Sequence, residues 1–280
     1  MYSDILLAVD FDHTLTGLDS RIPERNLEAI RYFIAHGGAF TVNTGRTPAT
    51  LRHHMDTLPY NVPLLMYNGS ASYWDGKLQD CHIIDLPIWD TMATLRQLFP
   101  QMHIEFQAEQ VNYLVDAKPE MGELEDKMHW AWAPAQWGQD MGPFLKFALW
   151  GEVRHPGISD MYDASEAELR IFDQAQATIE KLWGDKVVCF RPAPRIIDVQ
   201  AKGVSKALAA KNLQKKLGRK ILVCVGDGEN DVSVLQVADY AFCPADGVVA
   251  DRFSNVCPCG EGAVADVIYK KIPGILGNNP

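Results

Sequence analysis

The run D-I-L-L-A-V-D from Asp4 to Asp10 limits the folds open to this chain more than any other feature. A continuous apolar stretch with no polar residue for either face fits a strand buried on both sides of a parallel sheet. It stops at Asp10-Phe11-Asp12, so acids stand where the strand leaves the sheet. Open α/β sheets bind ligands at the carboxyl ends of their strands, which makes such residues the first to inspect.

The segments that follow alternate. Pro23 to His36 predicts a helix, with Pro23 in the first turn, Leu27, Ile30 and Ile34 on one side, and Gly37-Gly38 closing it. Ala39 to Asn43 reads as a second strand, followed by Thr44-Gly45-Arg46 and a helical stretch to about Leu58. Pro63 to Tyr67 gives a third strand, Asn68-Gly69 a turn, and Asp75-Gly76 the tip of a hairpin. Beyond about His82 the pattern changes to a mixture: helices at Pro87 to Phe99, Pro119 to Met128 and Ser165 to Trp183, and strands at His103 to Phe106, Val111 to Val115, Phe144 to Leu149 and Val187 to Phe190. Alternation returns with strand Ile196 to Val199, helix Gly203 to Leu217 and strand Ile221 to Val225. The expected fold is α/β. Residues 1–81 and 195–280 form a Rossmann-like, doubly wound parallel sheet, and residues 82–194 form an inserted α+β domain.

Composition excludes some functions. With 26 basic and 36 acidic residues the chain carries a formal charge of −10, which disfavours nucleic acid as a partner. Apolar runs fall short of the ~20 residues of a membrane span, and no basic segment precedes a hydrophobic one at the N-terminus. A soluble, cytoplasmic protein with no membrane partner is expected. The six cysteines make no CxxC pair or regular framework, so they read as reduced thiols.

Three strand ends carry chemistry: Asp10-Phe11-Asp12-His13-Thr14, Thr44-Gly45-Arg46, and Gly226-Asp227-Gly228-Glu229-Asn230-Asp231; Lys202 stands just before a helix. Asp10, Asp12, Asp227 and Asp231 converging on one sheet edge would repel one another unless a cation neutralised them. Oxygen-only ligands call for a hard ion, Mg²⁺, which takes one or two carboxylates together with a substrate phosphate. Thr44, Lys202 and backbone N–H groups at loop and helix starts would hold the phosphoryl oxygens. A lone DxD, Gly-Asp-Gly or Thr-Gly-Arg is an ordinary turn. Their joint occurrence, each after a buried strand, points to Mg²⁺-dependent phosphoryl transfer.

This set resembles the haloacid dehalogenase-like (HAD) superfamily of phosphohydrolases. Asp10-Phe11-Asp12-His13-Thr14-Leu15-Thr16 is similar to its first motif, Thr44-Gly45-Arg46 to the second, Lys202 to the third, and Gly226-Asp227-Gly228-Glu229-Asn230-Asp231 to the fourth. The form of the fourth motif and Lys-Gly-Val-Ser-Lys from Lys202 resemble the Cof-type branch, and an insert between the second and third motifs implies a C2-type cap. The resemblance implies that Asp10 is the nucleophile, forming an aspartyl-phosphate, and that Asp12 acts as acid and then base. It implies that Asp227 holds Mg²⁺ with an Asp10 oxygen and the Asp12 carbonyl, and that Asp231 reaches the ion directly or through water. Asn230 would hydrogen-bond phosphate or the aspartyl group, while Thr44 and Lys202 offset charge on the phosphoryl oxygens.

Arg46, Arg195 and His13 are candidate substrate contacts. Arg46 equally fits a brace for its own loop, and His13 departs from the glycine most often found there. In the insert, His129, Trp130, Trp132, Trp137 and Trp150 cluster, either to stack on substrate or as the insert's own core. The implied partner is a small phosphorylated metabolite, first of all a sugar phosphate. The alternatives are a specific sucrose- or mannosylglycerate-phosphate-type phosphatase and, in another class, a phospho-acceptor module without turnover.

Overall fold

A computed structural model of the chain describes residues 2–155 and 158–277. The first elements in chain order are β1 (Ile5–Val9), α1 (Glu24–Ala35), β2 (Ala39–Val42), α2 (Pro48–Met55), β3 (Leu64–Met66), β4 (Ala71–Trp74) and β5 (Lys77–Gln79). Next come α3 (Ile88–Leu98), β6 (His103–Gln107), β7 (Asn112–Val115), α4 (Pro119–Lys127), β8 (Trp132–Pro134), β9 (Lys146–Trp150), α5 (Glu166–Trp183), β10 (Val187–Ala193) and β11 (Ile196–Ala201). The chain ends with α6 (Lys206–Lys216), β12 (Ile221–Val225), α7 (Val232–Val237), β13 (Tyr240–Pro244), β14 (Ser254–Val256), α8 (Ala263–Asp266) and α9 (Ile272–Gly277). Two compact units result. One holds the residues up to Gly45, Thr57–Gln79 and those from Ser205 on; the other holds Arg46–Asp56 and Asp80–Val204.

The first unit is built on a parallel sheet in the order β14-β13-β12-β1-β2. A single parallel bridge, Asn43 to Leu65, adds β3 beside β2, and β3 continues into the antiparallel β4 and β5. Every residue of β1 is buried. Leu6 and Ala8 pack with Leu222, Cys224, Ala210, Leu213 and Val234 beneath α6 and α7. Ile5, Leu7 and Val9 are buried on the other side, which explains why the strand carries no polar residue. From β1 the chain moves to β2 on one flank, while β12 pairs on the other. The carboxyl ends of β1 and β12 therefore form the switch point where such sheets bind ligands.

The second unit holds a sheet in the order β10-β11-β9-β6-β7-β8, antiparallel except for the β7–β8 pair. On one face, Met92 and Leu95 of α3 and Phe172, Ala175 and Ile179 of α5 pack with Ile104, Phe106, Phe147, Leu149, Ile197 and Val199. α5 starts where its sequence says it should. The Ser165 hydroxyl accepts from the Glu168 N–H at 3.3 Å and the Glu168 carboxylate accepts from the Ser165 N–H at 2.9 Å, a capping box.

One expected strand changes place. Ile196 to Val199 was to lead the chain back into the parallel sheet, yet β11 pairs antiparallel with β10 and β9. Only Pro194 and Arg195 separate β10 from β11, and a two-residue turn can only fold a strand back beside its predecessor. The chain leaves the second unit at Val204, ten residues after the expected boundary at 194. All six cysteines are free thiols; Cys81 is exposed and Cys224, Cys243 and Cys259 are buried. Among the described residues no helix is long and apolar enough to cross a membrane.

Candidate active site

Asp10 directly follows β1, and its N–H donates to the Val225 carbonyl at 2.9 Å, so β1–β12 pairing runs on into the loop. Asp227 follows β12 by two residues, and Asp231 lies in the short helical turn Glu229–Asp231. The Asp231 Oδ2 accepts from the N–H groups of Asp227 at 3.1 Å and Gly228 at 3.0 Å, which folds the carboxylate back over the strand end. Only glycine serves at 226, because a Cβ there would lie 2.6 Å from Asp231 Cγ. One oxygen each from Asp10, Asp227 and Asp231 fall within 4.8 Å of one another.

The lysine that joins these acids is Lys206. It is the first residue of α6, fully buried, with its Nζ 2.5 Å from Asp10 Oδ1 and 2.6 Å from Asp231 Oδ1. Lys202, expected in this role, is exposed and belongs to the second unit, where its N–H donates to the Lys186 carbonyl. The reason lies in the cap of α6. Gly203 turns the chain at φ +84°, and the Ser205 hydroxyl accepts from the Leu208 N–H at 3.1 Å, so the helix starts at 206 rather than 203. Ser205 was the available signal, since an N-cap serine followed by lysine sets that lysine in the first turn.

Thr14, named in the first motif but given no role from the sequence, is a second such residue. Its hydroxyl donates to Asp227 Oδ1 at 2.8 Å within the buried site. Asn68-Gly69 does more than turn the chain. Gly69 adopts φ +98°, and a Cβ there would lie 2.4 Å from the Ser205 carbonyl, so this loop abuts the start of α6. Thr44 is buried; its N–H donates to the Leu65 carbonyl and its own carbonyl accepts from the Asn68 N–H, each at 2.9 Å.

The remaining candidates divide. Asp12 is half-buried and near enough for its charge to act on both Asp10 and Asp227. His13 holds a left-handed φ of +55°, a conformation that glycine adopts more easily, and its N–H donates to the Thr16 hydroxyl at 3.2 Å. Asn230 is half-buried, with its amide oxygen over Gly228. Arg46 donates to the Thr50 carbonyl at 2.8 Å and lies 5.8 Å from the Trp130 ring. Arg195 is only 1% exposed and is engaged inside the second unit, its Nε 3.0 Å from Glu168 and its Nη1 3.3 Å from Asp160. Trp150 belongs to a buried cluster against which Trp130 and Trp132 pack, so most of the tryptophan group is core of this unit.

The electrostatics of the acids are out of balance. Burial first, then the charges of Asp231, Asp227 and Asp12, push the Asp10 carboxyl well above the usual carboxylate range, against the pull of Lys206. Burial and Asp231 raise Asp227 to about 7, although the Thr14 hydrogen bond and Lys206 act the other way. Burial alone would lower Lys206, but Asp10 and Asp231 outweigh it and drive its pKa up. Three carboxylates share one ammonium, and their donors are all oxygen. Such a set suits a hard divalent cation, which would restore Asp10 to its ionised form.

Comparison with known proteins agrees with this geometry. The profile of a family described as haloacid dehalogenase-like hydrolase matches residues 7–137 and 156–249. A curated relative, the 5-amino-6-(5-phospho-D-ribitylamino)uracil phosphatase YcsE of Bacillus subtilis (strain 168), is 25% identical over 239 residues, covering 83% of this chain and 80% of its own. A solved haloacid dehalogenase-like hydrolase from Bacteroides thetaiotaomicron superposes with a TM-score of 0.76 at 18% identity, covering 95% of this chain and 98% of that one. The HAD subclass IIB sugar phosphatase BT4131 superposes with a TM-score of 0.72 at 20% identity, covering 96% of this chain and 99% of that one. A family profile that spans most of the chain, on a parallel sheet whose strand ends carry these acids, decides membership: the chain belongs to the haloacid dehalogenase-like hydrolase family.

Proposed function

We propose that this chain is a Mg²⁺-dependent phosphatase that hydrolyses phosphate monoesters of small metabolites, sugar phosphates first among them, through an aspartyl-phosphate. The observation that carries this reading is the buried meeting of Asp10, Asp227 and Asp231 around Lys206 at the carboxyl ends of β1 and β12. The related Bacillus subtilis enzyme bears the name of a phosphatase of a phosphorylated small molecule, in line with it.

A phosphate monoester resists attack because its charge repels nucleophiles and its alkoxide leaves poorly. Asp10 answers the first difficulty. Its carboxylate oxygen attacks phosphorus in line, the ester P–O bond breaks, and Asp12 gives its proton to the departing oxygen. Asp12 then takes a proton from water as that water attacks phosphorus, which releases phosphate and regenerates the Asp10 carboxylate. Lys206 spreads positive charge between Asp10 and Asp231, while Thr44 and Asn230 offer polar groups to the phosphoryl oxygens. Asp10, Asp227 and Asp231 would hold Mg²⁺, which supplies the charge neutralisation these acids lack. Thr14 steadies Asp227 for that task.

The test is hydrolysis of p-nitrophenyl phosphate by the intact protein with Mg²⁺, with and without EDTA, beside Asp10→Asn. Turnover should vanish with EDTA and fall by about 10³-fold or more in the variant. Unchanged hydrolysis by Asp10→Asn refutes Asp10 as nucleophile, and a wild type that accumulates a stable acyl-phosphate without turnover supports a phospho-acceptor module instead.

A further inference from the structure

Lys206 is only the second residue of the first unit after the chain leaves the second at Val204. Its Nζ nevertheless lies 2.5 Å from Asp10 Oδ1 and 2.6 Å from Asp231 Oδ1. A flexible four-carbon stem keeps two such contacts only if the backbone that carries it is fixed. The Ser205 cap decides where α6 begins, but not where its first turn stands against the sheet. A lysine so near the crossing point needs an anchor inside its own unit.

Two strand ends of the first unit supply one. Asn43 directly follows β2, and its backbone is held on both sides: its N–H donates to the Val9 carbonyl at 2.8 Å, and it bridges Leu65 of β3. The register of β1 and β2 sets Val9 opposite Val42, so Asp10 and Asn43 form the next rung. Side chains alternate along a strand, which puts Asn43 on the face of Ala39, the face that packs with Leu6, Ala8 and Ala210. From there Asn43 Nδ2 donates to the Lys206 carbonyl at 3.0 Å. The loop after β3 adds a steric stop, since a Cβ at Gly69 would lie 2.4 Å from the Ser205 carbonyl oxygen and 3.1 Å from Ala209 Cβ.

The amide of Asn43 is there for that one bond. The residue is 2% exposed, and among the described residues its Oδ1 accepts from no donor of the protein. An unmet buried acceptor is a cost to the fold. An aliphatic side chain at this rung would avoid that cost and extend the apolar face begun by Leu6, Ala8 and Ala39. What the amide provides in return is a donor to a helical carbonyl, which has a second lone pair to accept it.

We propose that Asn43 is a positioning residue: it holds the first turn of α6 against the carboxyl end of β2, so that Lys206 keeps its ammonium between Asp10 and Asp231. This rests on the reading of the chain as a phosphatase, and adds to it a residue that acts through the lysine and not on the substrate.

A double-mutant cycle tests it: hydrolysis of p-nitrophenyl phosphate in Mg²⁺ by the intact protein, by Asn43→Leu, by Lys206→Met and by the two combined. Asn43→Leu should lower kcat by about tenfold or more, with KM within about threefold. In the Lys206→Met background the same substitution should change kcat by less than about twofold, because the side chain it would misplace is gone. A residue that only supports the fold, or one that touches the phosphoryl group itself, would cost the same factor in both backgrounds, and that result overturns the proposal. So does an Asn43→Leu variant with the kcat of the wild type. Asn43→Ser withdraws the donor with a shorter side chain and repeats the cycle, while urea unfolding checks that each variant is folded in the assay. If neither variant folds, Asn43 belongs to the fold and the proposal falls. Turnover by the wild type with equal losses around the cycle sinks this inference alone, whereas a wild type that hydrolyses no phosphate ester sinks the phosphatase reading with it.

Discussion

The first unit buries Asp10, Asp227 and Asp231 around one ammonium, Lys206, while the second buries Arg195 against Asp160 and Glu168, with Arg154 sharing both acids. Both clusters are built on buried charges, though Arg154 and Glu168 reach solvent, and the sequence reading marked a member of each as a site residue. Their balance separates them. Among the arginines each acid faces guanidinium groups: Asp160, despite a burial penalty, and Glu168 both titrate below their ordinary ranges. Around Lys206 the acids outnumber the base, and Asp10 and Asp227 titrate above theirs. A matched cluster is complete as it folds, whereas the unmatched one has the charge excess that the proposed cation would offset.

The largest expected effect tests the unmatched cluster. Lys206→Met should cut kcat/KM for p-nitrophenyl phosphate by about 10³-fold, because the transferring phosphoryl group loses a fixed positive charge. Lys202→Met should stay within about twofold, since that lysine is exposed in the other unit. Equal losses in the two variants would dissolve the distinction between these lysines. The matched cluster makes the opposite prediction. Arg195→Met leaves Asp160 and Glu168 short of a partner and should cost about 3–5 kcal/mol in urea unfolding, with the kcat/KM of the folded enzyme within about threefold. A loss of activity without a loss of stability would make Arg195 a substrate anchor after all.

These two residues also show what the sequence could carry. Strand β1 and the acids at its end were legible because a run buried on both faces leaves no room for a polar residue, and the first polar residues after it mark the sheet edge. The Asp227 to Asp231 loop was legible for the same reason after β12. Lys206 was missed because two lysines flank Gly203-Val204-Ser205, and only the cap chosen by Ser205 decides which one enters the helix. Arg195 was misplaced because an arginine beside an apolar strand looks the same whether it faces substrate or Asp160, a residue distant in sequence. β13 and β14 gave no clear signal: Tyr240–Pro244 ends in proline and Ser254–Val256 has three residues. They are strands because β12 offers an edge to pair with.

A buried pair of acids in the second unit, Glu105 of β6 and Glu125 of α4, sharpens the comparison through pH. Burial and the charge of Glu105 raise Glu125 to about 9, and burial raises Glu105 to about 7. Both sit above the unfolded range near 4.5, so between these values the folded chain binds more protons than the unfolded one. The stability these carboxyls lend is present below about pH 4.5 and is lost as pH rises toward 9, with a slope approaching about 1.4 kcal/mol per pH unit for each proton. Glu125→Gln removes one such group, and its urea unfolding free energy should fall less steeply than that of the wild type between pH 5 and about 9. Parallel curves would mean that Glu125 titrates alike in both states.

The smallest effect asks whether the unmatched cluster is tuned by its neighbours or set by its charges alone. Thr14→Val deletes the hydroxyl that donates to Asp227 Oδ1 at 2.8 Å and keeps the shape of the side chain. That hydrogen bond favours the charged carboxylate, so without it the Asp227 pKa rises further above about 7 and less of the residue is ionised at neutral pH. On the proposed Mg²⁺ role, binding of the ion must then displace that proton more often. The Mg²⁺ concentration for half-maximal turnover at pH 7 should rise about fivefold, with kcat at saturating Mg²⁺ within about twofold. Raising the pH should shrink the difference, since Asp227 is ionised in both proteins once the solution passes both pKa values. A deficit in kcat that persists at high pH and saturating Mg²⁺ would show that Thr14 acts on the phosphoryl group and not through Asp227.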